Sequence, residues 1–140
     1  MCKEYFATKS LSDFTFVCSD DVEILAHRFI LAAFSPVLKE IFKPKIFPTK
    51  INKIIINDID GETMTEILRF IYTQEVNNIK ELAPKLLHGA DKYELDKLKK
   101  LCIAAMIESL SIENALDYFL LADVYDIKVL LERSAMFIKL

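Results

Sequence analysis

The side chains best suited to chemistry are two histidines, His27 and His88, and three cysteines, Cys2, Cys18 and Cys102. Catalysis would need a nucleophile, a base and an oxyanion donor set, or else a metal or phosphate cradle. No cysteine or histidine pair has zinc-ligand spacing. With only two glycines, neither G-x-x-x-x-G-K-[ST] nor G-x-G-x-x-G is present. Cys18 falls inside a predicted strand and Cys102 on an apolar helix stripe, so both read as core thiols. His27 follows a strand and opens an apolar helix, which predicts a hydrogen-bonded structural histidine. His88, beside Gly89 late in a helix, is placed to favour the negative helix end. The pattern predicts no catalytic residue, no metal and no cofactor.

An apolar fraction of 53% with two glycines and no tryptophan describes a compact, helix-rich chain of one domain, with at most a small appendage. The net charge of −3, with both signs mixed along the chain, argues against a nucleic-acid binder. An odd, scattered cysteine count fits free thiols in a reducing compartment. Apolar runs of about six residues fall far short of the roughly 20 that span a bilayer, and no signal-peptide core opens the chain. The protein is expected to be soluble and intracellular, in the nucleus or cytoplasm.

Phe14-Thr15-Phe16-Val17-Cys18 and Val22-Glu23-Ile24-Leu25 read as strands joined by Ser19-Asp20-Asp21, a hairpin. An apolar helical run follows. Ser35-Pro36 ends it and starts a second short helix reaching Phe42, with Ser35 as cap and Pro36 at the first helical position. Met1 to Ser10 predicts at most one helical turn. Pro44 and Pro48, around Ile46-Phe47, predict a loop. Lys53 to Ile56 reads as a third strand buried on both faces. Asp60 should cap a helix from Gly61 to Thr73, followed by a short edge strand at Gln74-Glu75-Val76. Asn78 has capping-box character for a helix that begins at Ile79, kinked at Pro84, or at Pro84 itself. Leu95 to Ser109 is helical, and Ser111 and Asp126 should cap two last helices that form an αα-hairpin. No internal repeat is evident. A three-stranded sheet capping one side of a helical cluster makes the fold α+β.

Ala26-His27-Arg28, the Leu31-Ala32-Ala33 run and Ser35-Pro36 together resemble the signature of BTB/POZ domains, most closely the speckle-type POZ group. The similarity extends through Ile56-Asn57-Asp58-Ile59, Phe70-Ile71-Tyr72-Thr73, Ala90-Asp91-Lys92-Tyr93-Glu94-Leu95, Leu98-Lys99 and Cys102. It divides the chain into a BTB domain at 1–109 and a helical hairpin at 110–140. Ser111-Ile112-Glu113-Asn114-Ala115 through Leu121-Ala122-Asp123 resembles the 3-box, the helix pair that extends the family's cullin-3 contact.

The resemblance implies a dimerising adaptor that recruits cullin-3 to a ubiquitin ligase. The MATH domain that normally binds substrate is absent from these residues, so the chain reads as a stand-alone BTB or a fragment of a longer product. Implied dimer contacts are Ile30 and the pair Asp13 and Arg28, whose other reading is a plain intramolecular salt bridge. Tyr5 and Phe6 are what remains of the family's leucine-rich first helix, which implies a weaker dimer. Implied cullin contacts are Ile46 and Phe47, with Phe42 and Tyr72, although the last two have equally good core readings. The family's hydrophobic-x-Glu motif falls on Ile46-Phe47-Pro48, where the hydrophobe is kept and the glutamate is a proline. A second reading folds Ile46 and Phe47 back onto the domain. The rival function is an oligomerisation module that pairs with related BTB proteins without recruiting cullin.

Overall fold

Alternation of apolar and polar residues builds the sheet. The computed structural model describes residues 3–43 and 52–138. β1 (Phe14–Val17) lies centrally, with β2 (Glu23–Ala26) antiparallel on one side and β3 (Lys53–Ile55) parallel on the other. Phe16 sits opposite both Ile24 and Ile54, so the period-two pattern sends Phe14, Phe16, Ile24 and Ala26 to one buried face. β3 departs from the expected burial on both faces: it is an edge strand and Ile55 is 70% exposed.

The rest is helical, as expected for a sheet capping a helical cluster. α1 (Lys3–Thr8) is longer than the single turn predicted and packs on α4. α2 (Arg28–Phe34) and α3 (Pro36–Phe42) meet at Ser35, whose hydroxyl accepts from the Leu38 N–H at 3.1 Å and donates to the Tyr93 carbonyl at 2.8 Å. α4 (Gly61–Thr73) is capped by Asp60 as the sequence predicts, its carboxylate accepting from the Thr63 N–H at 2.8 Å. α4 stops because Gln74 takes a left-handed φ of 64°, and no strand forms at 74–76. α5 (Ile79–Lys92) runs through Pro84, which lies inside the helix and gives up the i→i−4 hydrogen bond to the Lys80 carbonyl. Asn78 is left-handed (φ 55°), so its side chain makes no cap and the expected capping box is absent. α5 lies so close to α4 that a Cβ on Gly89 would come within 2.3 Å of Ile67 Cδ1.

α6 (Asp96–Glu108), α7 (Ala115–Val124) and α8 (Lys128–Ala135) complete the chain. Ser111 caps the turn that leads into α7 as expected, its hydroxyl accepting from the Asn114 N–H at 3.4 Å while Asn114 Oδ1 accepts the Ser111 N–H at 2.8 Å. Asp126 is not a cap but the left-handed corner (φ 54°) before α8. The αα-hairpin forms as expected, and Tyr118, Ala122, Ile127 and Leu130 enter the same core as the sheet and α4.

The fold also contains a repeat that is not evident in the sequence. The α5–α6 corner, Ala90-Asp91-Lys92-Tyr93-Glu94-Leu95, and the α7–α8 corner, Ala122-Asp123-Val124-Tyr125-Asp126-Ile127, share one geometry. Glu94 and Asp126 are both left-handed, with φ of 53° and 54°. Leu95 N–H bonds the Ala90 carbonyl and Ile127 N–H the Ala122 carbonyl, each at 2.8 Å. Leu98 and Leu130, then Cys102 and Ser134, follow at matching steps and are fully buried. Identity is confined to a few positions that face inward or turn the corner, which hides the repeat.

Candidate functional site

Two faces hold the residues singled out by sequence: the α1–α2 side and the end of α3. On the first, His27 is the hub. Its Nε2–H donates to the Ser10 carbonyl, which leaves Nδ1 to accept from the Tyr72 hydroxyl at 2.7 Å. The Tyr72 oxygen in turn accepts the His27 backbone N–H at 2.9 Å. Tyr5 meets the His27 ring edge-on, and Phe6 packs on Tyr72 with Lys9 and Arg69 near its ring. Arg69 is held by Glu66, a buried carboxylate that also accepts the Asn77 N–H at 2.7 Å. Half-burial and the Arg69 charge push the Lys9 amine below its usual range. His27 is thus the hydrogen-bonded structural histidine expected, and Tyr5 and Phe6 fasten α1 to the core while Tyr5 keeps one side in solvent.

Asp13 and Arg28 form an ion pair within the chain, Nε to Oδ2 at 3.4 Å, and Asp13 Oδ1 accepts the Arg28 backbone N–H at 2.8 Å. Asp13 therefore caps α2, a task that His27 at the N-cap position does not perform. Ile30 is half-buried against the core. Its neighbour Phe29 is 85% exposed, as is Leu11 at 83%, and neither was singled out by sequence. The signal was helix phase: burial of Leu31 and Ser35 turns positions 29 and 33 outward.

At the end of α3, Phe42 stacks edge-on against Phe14 at 4.9 Å, which fixes the end of that helix against the sheet. Ile46, Phe47 and Pro48 lie outside the described residues. Tyr72, the fourth residue implied for a cullin contact, is only 4% exposed and is occupied by His27. The structure places Tyr72 on the α1–α2 side and Phe42 at the base of the segment 44–51.

His88 lies in a different constellation from the helix-end role expected of it. Its Nε2 meets Asp58 Oδ2 and its Nδ1 meets the Tyr125 hydroxyl, both at 2.7 Å, while Lys92 donates to Asp58 Oδ1 at 2.8 Å. The Lys92 ammonium, then His88, hold the Asp58 carboxyl down at about 2. This chain of contacts ties α5 and the loop before α4 to the α7–α8 corner. Cys18 and Cys102 are buried thiols pushed up to about 11 and about 12, chiefly by burial, and so are poor nucleophiles. Among the described residues, no group of three or more His, Cys, Asp or Glu is placed to hold a metal ion, and no helix is long and apolar enough to cross a membrane.

Comparison with known proteins agrees with this architecture. The BTB domain of zebrafish PATZ1 is similar in fold, with a TM-score of 0.62 and 19% identity, covering 74% of this chain and 81% of that one. A BTB/POZ domain family model matches residues 2–110. The chain belongs to the BTB/POZ family, whose domains act in protein–protein interaction and self-association.

Proposed function

We propose that this BTB domain is an adaptor of the speckle-type POZ kind, binding cullin-3 through Ile46 and Phe47 and extending the contact along the 3-box-like hairpin at 110–140. The observation that carries the reading is the Phe42–Phe14 stack, which fixes the end of α3, four residues before Ile46, against the sheet. An apolar pair between prolines, launched from a rigid point, suits insertion into a partner groove, where one or two buried side chains supply much of the affinity. The hairpin shares the core, so it is held rigidly for a second contact. The domain makes and breaks no covalent bond; its mechanism is recruitment. Calorimetric titration with the N-terminal domain of cullin-3 tests this. Binding that disappears in Ile46→Asp is the expected result. A folded wild-type chain that does not bind refutes the adaptor reading.

A second reading is favoured by the exposed Phe29 and Leu11 beside the Asp13–Arg28 pair. Apolar surface of that kind marks a protein contact, here with a second copy or a related BTB protein. Heterodimers with a full-length relative on gel filtration, lost in Phe29→Glu, are its expected outcome.

A further inference from the structure

α7 is apolar on two opposite sides. Ala115, Tyr118 and Ala122 turn into the core, while Leu116, Leu120 and Val124 face solvent, with Ile112 of the preceding turn also exposed. A helix apolar all round belongs between two layers, and the described residues supply only one. In stacked helical hairpins each unit covers the outer face of the one before, and an end unit needs either a polar face or a cover. Here α7–α8 follows α5–α6 with the same corner and joins it through Tyr125 and His88. The element that would continue such a stack is another αα-hairpin.

Charge points to which one. Every charged side chain on α7 and in the turn leading to it is acidic: Glu113, Asp117 and Asp123, all exposed. α8 exposes Val129 together with the cations Lys128 and Arg133, against one acid, Glu132. We propose that the outer face of the α7–α8 hairpin docks on the same face of a second copy of this chain. A two-fold axis brings each acidic α7 against the partner copy's basic α8, so both contacts form at once in a four-helix bundle. The contact uses no residue of the α1–α2 face and neither Ile46 nor Phe47, but it shares the α7–α8 hairpin with the second cullin contact of the adaptor reading, so the two compete for this face and the test separates them.

The experiment is mass by light scattering across a concentration series, in a Phe29→Glu background that removes the exposed aromatic of the α1–α2 face. One variant reverses α7 (Asp117→Lys with Asp123→Lys) and another reverses α8 (Lys128→Glu with Arg133→Glu). The Phe29→Glu chain should be dimeric, and each reversal should weaken association at least about tenfold. An equal mixture of the two reversals should restore the dimer, because a basic α7 then meets a basic-to-acidic α8 and an acidic α7 keeps its basic partner. Merely structural damage would not be rescued by mixing. A monomeric Phe29→Glu chain with native circular dichroism overturns the proposal, as does a mixture that stays monomeric. Cullin-3 binding lost in both reversals of a monomeric parent assigns the face to cullin instead.

Discussion

Replacing Tyr72 by phenylalanine removes one oxygen from the buried polar site around His27. That oxygen accepts the His27 backbone N–H and donates to His27 Nδ1, in a site where Tyr72 and His27 are 4% and 7% exposed. The ring volume is conserved, so no cavity term enters. What is lost is pairing: a buried backbone donor and a ring acceptor are left without the group that served both. Leaving one such group unsatisfied costs about 1–3 kcal/mol. With an unfolding entropy of about 2 cal/mol/K per residue, a chain of this length loses roughly 3–10 °C in melting temperature. Urea denaturation followed by circular dichroism reads the free energy, and titration with the cullin-3 N-terminal domain of the still-folded variant reads any binding role. The expectation is a clear loss of stability with unchanged affinity per folded molecule. A stability change under about 0.5 kcal/mol, the range of an ordinary surface substitution, would refute the hub role assigned to Tyr72.

Other consequences can be measured as directly. Asp58 is held at about 2, below its ordinary 3.8, so the unfolded chain takes up this proton first on acidification. Its contribution is complete above pH 4 and is lost as the pH falls towards 2; Asp58→Asn should flatten that part of the stability–pH curve, and an unchanged slope would count against the Lys92–Asp58–His88 chain. Asp60→Ala should cost about 0.5–2 kcal/mol by uncapping α4, read from the denaturation midpoint. Leu98→Ala, at a fully buried position, should cost about 2–5 kcal/mol in the same assay. Cys18 and Cys102 should resist a thiol reagent until the chain unfolds, so their labelling rate should follow denaturant; fast labelling of both in buffer would contradict their burial.

Residues with local jobs are legible in the amino-acid sequence. Ser35 and Asp60 cap helices because a short oxygen-bearing side chain at that place reaches the orphan N–H groups regardless of what lies beyond. The Phe14–Phe16 alternation marks a strand with one buried face for the same local reason. The family resemblance rests on such residues around Ser35-Pro36, and it leads to the fold. Sequence and structure part where a neighbour decides. Ile54 and Ile55 look alike in sequence, yet strand pairing puts Ile54 on the face of Phe16 and Ile24 and turns Ile55 to the opposite face, which it shares with exposed Glu23 and Leu25. Asn78 and Asp126 carry capping side chains, but the corners need left-handed residues there and the side chains go unused as caps.

The sequence by itself determined the hairpin, the helices, the absence of glycine-rich phosphate loops and the histidine at the head of α2. These follow from spacing along the chain, where each residue's periodicity and capping chemistry act within a few positions. Only the tertiary structure decided that Tyr72 belongs to His27, that Asp13 caps α2 from the preceding segment, and that α7 keeps an apolar face in solvent. Those facts depend on residues far apart in sequence being brought within a few ångströms, and no local pattern encodes which pairs will meet.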